Sequence, residues 1–206
     1  MIFAAPSATT TMRELLNPDR PMRADARRNR ALILKAAREL FAMERPDVQI
    51  DDVAARAGVG VGTVYRHFPD KEALMGTLVR ERFVAFNERL REAIEDEREP
   101  FEVLAAAMRE NLTALTEDAA TRFAFQTGGE RVFAHAQAEA DEFMSMARVL
   151  VARAKRAGTL SSDFEADQIP MIMCGVSATV GRSKPAWDWR WHLELVLRGM
   201  KAAPVG

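Results

Sequence analysis

From Gly58 to Leu74 the chain reads GVGVGTVYRHFPDKEAL. The groups able to do chemistry here are Thr63, Tyr65, Arg66, His67 and Lys71, and no acid precedes Asp70. Few of them suit covalent chemistry, which needs a nucleophile, a base and a group to orient that base. A hydroxyl, a phenol, an imidazole and two cations do suit phosphate oxygens. A guanidinium such as that of Arg66 can also take the O6 and N7 edge of guanine with two parallel hydrogen bonds. An ordinary buried helix with a polar edge fits less well, because Val64 and Phe68 already fill the buried side and leave Tyr65, Arg66 and His67 pointing elsewhere. The stretch predicts a surface that meets phosphate and base edges of DNA.

Such a surface has to be held by helices. Residues Ile50 to Phe68, IDDVAARAGVGVGTVYRHF, predict a short helix to Ala57, a turn at Gly58 and a second short helix over Val61 to His67. Ala54 is small enough for close approach, Gly58 can take the positive φ of the turn, and Val53, Val59 and Val64 form a packing triangle. The second helix is too short to stand alone, so it leans on its neighbours. Before it, Ala24 to Met43 carries Ala31, Ile33, Leu34, Ala37, Leu40 and Phe41 at helical spacing, with Arg27, Arg28, Arg30, Lys35 and Arg38 on the other faces. After it, Asp70 is a good N-cap for a long helix bearing Leu74, Leu78, Phe83, Phe86 and Leu90.

Beyond the break EDEREP the pattern predicts helices over Phe101 to Leu115, Ala119 to Gln126, Arg131 to Ala157, Glu165 to Val180 and Trp187 to Ala202. No stretch alternates long enough for a strand, so the fold class is all-α. The expected organisation is a disordered lead-in over 1–22, with Met22 an alternative start, then a helix-turn-helix unit over 23–70, a connecting helix over 71–95 and a helical domain over 96–206.

Composition sets outer limits. The 206 residues carry a formal charge of −1, so only the distribution of charge is informative. Residues 20–46 hold 8 cationic and 3 acidic side chains, against 13 and 16 over 96–206. The first helix fits either a solvated face or contacts from Arg23, Arg27 and Arg28 to a DNA backbone. The single Cys excludes an intrachain disulfide and fits a reducing cytoplasm. No apolar run reaches the roughly 20 residues a membrane helix needs, and no membrane partner is expected.

With these residues in view, Arg23 to Leu78 resembles the DNA-binding domain of the tetracycline-repressor (TetR) family, whose pattern AGVSxGTLYxHFxxKExL stands here as AGVGVGTVYRHFPDKEAL. The resemblance implies a three-helix DNA-binding unit joined to a helical ligand-binding and dimerisation domain. It implies a homodimeric regulator, most simply a repressor, that binds double-stranded operator DNA and is released by a small molecule. Tyr65 and His67 resemble the family's phosphate-contacting pair, Thr63 a phosphate or base contact, Gly62 the point of closest approach to the bases, and Lys71 a phosphate contact at the next helix start. Three positions depart from the pattern. Gly60 replaces the usual capping Ser or Thr, Val61 replaces a polar neighbour and can offer only apolar contact, and Gln49 stands where a Thr often caps the preceding helix.

Residues 96–206 hold no nucleophile–base pair, no phosphate-cradling Gly loop and no metal-ligand spacing, which argues against the alternative of an all-α enzyme, while Tyr65, His67 and Lys71, which the fold alone does not require, argue against a non-DNA interaction module on the same scaffold. His135 and Glu139 share a helical face, but no second His or Cys joins them in sequence. No cofactor or metal is expected. Met, Leu and Phe side chains there, Met108, Leu112, Phe123, Phe125, Phe143 and Met144 foremost, line either the core or a cavity for an apolar, aromatic inducer. Its mouth is expected near Thr127 to Gly129. Cys174, in the most apolar helix, reads as a buried structural thiol. Ile169, Ile172, Met173, Val176 and Val180, with Leu193, Leu197 and Met200, offer more apolar surface than one subunit's core should need, which predicts a dimer interface along the last two helices.

Overall fold

The structure is a computed structural model that describes residues 19–45, 47–95, 97–181 and 188–202. Of the lead-in expected to be disordered over 1–22, residues 1–18 lie outside the described residues, as does Trp187, whereas 19–22 are helical. Every regular element among those residues is helical, and the one β-bridge, Leu160 with Lys201, is isolated.

Helix α1 (Asp19–Phe41) begins earlier than the apolar spacing suggests. Its inner face is Ile33, Leu34, Ala36, Ala37 and Phe41, all buried, whereas Ala31 is exposed and Leu40 half-buried. Helix α2 (Ile50–Ala57) starts where the Gln49 N–H donates to Asp52 Oδ2 at 2.8 Å and ends at Gly58, whose φ of 68° lets the Gly58 and Val59 amides return to Ala55 and Ala54 carbonyls. Helix α3 (Val61–His67) follows within the same turn. Val53, Ala54 and Val64 are sealed between α2 and α3, with Val59 packed at the edge.

Helix α4 (Lys71–Ile94) is capped by Asp70, whose carboxylate accepts the Ala73 amide at 2.7 Å. Then come α5 (Pro100–Glu117), α6 (Ala119–Thr127), α7 (Gly129–Ala134) and α8 (Gln137–Arg156). A turn of 3-10 helix at Ala166–Gln168 leads into α9 (Ile169–Ser177), and α10 (Trp189–Met200) closes the order. The end of α10 is pinned by Ser161 N–H to Met200 O at 2.9 Å and Ala202 N–H to Thr159 O at 3.1 Å.

Two elements differ from the sequence pattern. The stretch Arg131 to Ala157 is not one helix, because it turns at His135 and Ala136 between α7 and α8. The corner sits on Gly76 of α4, where an added Cβ would stand 2.5 Å from His135 Cβ and 2.8 Å from the Val132 carbonyl oxygen. The absence of a side chain at residue 76 is what admits it. The stretch Glu165 to Val180 is likewise shorter as an α-helix, ending at Ser177.

The apolar core beneath α1 to α3 continues through Leu74, Met75 and Leu78 of α4 into Phe123, Ala124, Val132 and Ala136 of α6 to α8. Polar links cross the same boundary. Arg38 of α1 pairs with Glu81 at 2.6 Å and with Asp118, the N-cap of α6, at 3.0 Å. Arg122, largely buried, donates to the Leu115 carbonyl and pairs with Glu44 at 2.5 Å. Glu44 is held at φ 53° just past α1. The second core, from α5, α8, α9 and α10, buries Phe101, Leu112, Val151, Leu193 and Leu197.

That second core overturns the expected dimer contacts. Ile169, Val176, Val180, Leu193, Leu197 and Met200 are buried inside the subunit, and Ile172 and Met173 are packed against them. Their apolar surface is used in folding. The residues that α9 and α10 leave open are instead Met171, Cys174, Trp191 and Leu195, with Met171 69% and Trp191 63% exposed. Cys174 is accordingly not a buried structural thiol: it is exposed, and it borders a cavity between α4 and α9.

Candidate nucleic-acid interface and cavity

Helix α3 stands on its apolar underside and turns the rest outward. Val64 and Phe68 are buried, while Val61, Gly62, Tyr65 and Arg66 are exposed and Thr63 and His67 half-buried. Residues four apart share a helical face, so Val61 with Tyr65 and Gly62 with Arg66 make two adjoining rows. Tyr65 is 50% exposed, and neither it nor Arg66 has a hydrogen-bond or ion-pair partner among the described residues. The His67 ring rests tilted against Phe68, and the Arg30 guanidinium lies 5.4 Å from the Phe68 ring centre. The far end of α3 is thereby steadied from α1.

The glycines of this surface are not demanded by the protein's own packing. A Cβ at Gly62 would meet nothing within 4 Å, and one at Gly60 only Thr63 Oγ1 at 4.0 Å. Gly58, by contrast, is required by its φ of 68°. Gly60 forms the N-cap of α3 without any side-chain bond, and its carbonyl accepts the Thr63 amide at 2.8 Å. Gln49 is exposed beside it, its Nε2 donating to the Asp47 carbonyl at 3.0 Å. Lys71, the first residue of α4, carries its ammonium 5.9 Å from the Phe41 ring centre. Of the other cations nearby, Arg56 is paired with Glu39 and Arg45 with Asp47, whereas Arg27 and Arg28 are exposed. The Arg45 hydrogen bonds hold the Asp47 carboxyl below the usual carboxylate range.

A cavity of about 200 Å³ lies deeper, between α4 and α9. Phe125, Phe143 and Met144 line it. Met108, Leu112 and Phe123 do not: Met108 and Leu112 are sealed in the second core, and Phe123 stacks on Phe41 with ring centres 6.0 Å apart. Met173 also lines the cavity. The aromatic wall is a chain of contacts, Phe86 to Phe143 at 5.3 Å, Phe143 to Phe83 at 6.3 Å, Phe83 to Phe125 at 5.9 Å and Phe125 to Phe133 at 5.4 Å.

The polar part of this wall was missed in the sequence. Arg82 of α4 donates from Nε and Nη2 to Asn111 Oδ1 at 3.2 and 2.7 Å, and from Nη2 to the Asn111 carbonyl at 3.0 Å. Burial pushes its guanidinium below the ordinary arginine value and the charge of Arg89 adds to that, against weaker pulls from Asp118 and Glu117. It remains a cation at neutral pH. The only available signal was a charged residue beside the apolar Val79, Phe83 and Phe86. Of His135 and Glu139, the second pairs with Arg80 at 2.6 Å, and its carboxyl is lowered by that hydrogen bond.

No helix of the described residues is long and apolar enough to cross a membrane. Residues 33–78 match the family described as bacterial regulatory proteins, tetR family. An HTH-type transcriptional regulator of Staphylococcus aureus (strain USA300) is 31% identical over 88 residues, 42% of this chain and 48% of the relative. The chain thus spans about half the length of the curated relatives it matches. A TetR transcription regulatory protein from Mycobacterium vanbaalenii is similar over 88% of this chain and 100% of its own, at 31% identity and a TM-score of 0.54. A TetR transcriptional regulator from Streptomyces coelicolor is 27% identical over 84% of this chain and 99% of its own, with a TM-score of 0.55.

Proposed function

Because the chain belongs to the TetR family of bacterial regulators, we propose that it binds operator DNA through α3 and represses transcription until a small molecule enters the cavity. Its work is binding rather than catalysis. The observation that carries this reading is the outer face of α3: a Cβ at Gly62 would meet nothing within 4 Å, and Tyr65 and Arg66 stand on a packed underside with no hydrogen-bond or ion-pair partner among the described residues. The fold gains little from either side chain, whereas a phosphate backbone and base edges would use both. Gly60 and Gly62 let the backbone come close to DNA, Val61 meets an apolar base edge such as a thymine methyl, and Thr63, His67, Gln49 and Lys71 border the same surface.

A regulator of this kind works as a homodimer that holds two copies of α3 about 34–36 Å apart, one helical turn of DNA. The surface offered for pairing is the open side of α9 and α10, with Met171, Trp191 and Leu195. The occupant of the cavity lowers DNA affinity by preferring a different spacing of the two heads. The core that runs from Val64 and Phe41 to Phe123 and Val132 joins the reading helix to the cavity wall.

The test is a salt-dependent gel shift of the full chain with the DNA upstream of its own gene. Retarded, saturable binding that weakens in Arg66→Ala is the expected result. Equal binding of wild type and Arg66→Ala to every fragment would refute the reading.

A further inference from the structure

Arg82 is a partly buried cation held in one orientation by a neutral partner. All three of its hydrogen bonds go to Asn111 and engage Nε and Nη2, so Nη1 donates to no acceptor among the described residues. No described carboxylate lies within ion-pairing distance of it. Asp118, a nearby acid, is already taken by Arg38 and by the Thr121 hydroxyl and amide. A charge removed from water without an opposite charge is costly, and the usual remedy is a counterion. Arg82 and Asn111 border a cavity whose remaining wall is mainly Phe, Met and other apolar groups.

Resting on the reading of this cavity as the effector site, we propose that its ligand is a compact carboxylic acid: one aromatic ring, or a group of similar bulk, bearing a carboxylate that pairs with the free Nη1 edge of Arg82. A planar guanidinium fixed along one edge presents its remaining N–H groups in a defined direction, which suits a carboxylate better than a neutral polar group. The size follows from the cavity. At about 200 Å³ it is somewhat larger than the roughly 150 Å³ cavity that takes up benzene, which suits a ring and a short acid-bearing arm better than a long acyl chain. The rings of Phe83, Phe86, Phe125, Phe133 and Phe143 supply faces and edges for an aromatic guest.

The experiment is isothermal titration of the purified full chain, with no DNA present, using benzoate, phenylacetate and 3-phenylpropionate, their primary amides, and palmitate. At least one ring acid should bind with Kd below about 1 mM, and its amide should bind about 10–100-fold more weakly. Arg82→Gln should erase the difference between acid and amide, and Arg82→Lys, which keeps the charge, should retain a preference for the acid. The proposal is overturned if no ring acid binds in that range, if amides bind as well as acids, if palmitate binds more tightly than every ring acid, or if Arg82→Gln keeps the acid preference. The comparison of acid with amide on the wild type stands even if a variant fails to fold. Since the titration lacks DNA, loss of operator binding would sink the regulator reading alone, while operator binding without acid uptake would sink this proposal alone.

Discussion

Phe123 and Phe125 stand two residues apart on α6 and pack into different parts of the molecule. Phe123 stacks on Phe41 of α1 with an interplanar angle of 21°, and Phe125 meets Phe83 and Phe133 in the cavity wall. If a ligand in the cavity shifts α6, the Phe123–Phe41 stack would carry that shift to α1, against which the proposed DNA-reading unit packs. Phe123→Ala should destabilise the fold by about 3–5 kcal/mol. The milder Phe123→Leu should leave ligand affinity near wild type and reduce the factor by which ligand weakens DNA binding. Titrating ligand and DNA separately and together measures that factor, and an unchanged factor in Phe123→Leu would show that the stack does not transmit.

Arg66 and Tyr65 share the outer face of α3 but do different work in the proposed complex. Arg66→Ala should cost roughly 1–3 kcal/mol on the operator and much less on random DNA, because a bidentate guanine contact carries sequence information. Tyr65→Phe should weaken all sequences by a similar factor. Lys71→Ala should do the same and also flatten the slope of log K against log salt by about 0.9. Fluorescence anisotropy across a salt series with two DNA sequences separates these outcomes.

The turn between α2 and α3 was legible because everything that makes it is local. Gly58 supplies the positive φ, and Val53, Val59 and Val64 close on each other within a dozen residues. The corner at His135 and Ala136 was not legible, since neither residue breaks a helix, and what admits it is the bare backbone of Gly76, remote in sequence. The apolar stripe of Ile169, Val176, Leu193 and Leu197 was visible as a stripe, but its destination was not, because periodicity says which face is buried and never against what. Arg82 reads as a solvated charge until Asn111, on another helix, is brought against it.

Glu99 caps α5 and makes stability depend on acid. Burial pushes its carboxyl upward, but the Thr159 hydroxyl at 2.5 Å and the Phe101 and Glu102 amides outweigh that and leave it below the ordinary carboxylate value. A group whose folded value is depressed is fully stabilising above its unfolded value, about 4.3, and loses that contribution as pH falls through the folded value. Urea unfolding at descending pH should show the wild type losing stability in that acid window. Glu99→Gln should start lower at neutral pH and lose less, and parallel curves would refute the linkage.

Gly76 and Gly62 give a paired test of packing against recognition. Gly76→Ala forces a Cβ onto His135 Cβ and the Val132 carbonyl, and the second neighbour is backbone that cannot swing aside. Overpacking of this kind costs about 1–3 kcal/mol, so its thermal midpoint should fall and the α7–α8 corner should shift. Gly62→Ala places its Cβ in open space on a helix whose φ at that position is ordinary, so the fold should be unchanged or stabilised by roughly 0.5–1 kcal/mol. If α3 lies against DNA as proposed, that same methyl stands where the bases and backbone approach, and operator affinity should drop by at least about tenfold. Thermal melts and operator titrations on both variants decide the matter. A Gly62→Ala protein that is stable and still binds operator at wild-type strength would mean that this face of α3 does not come close to the DNA.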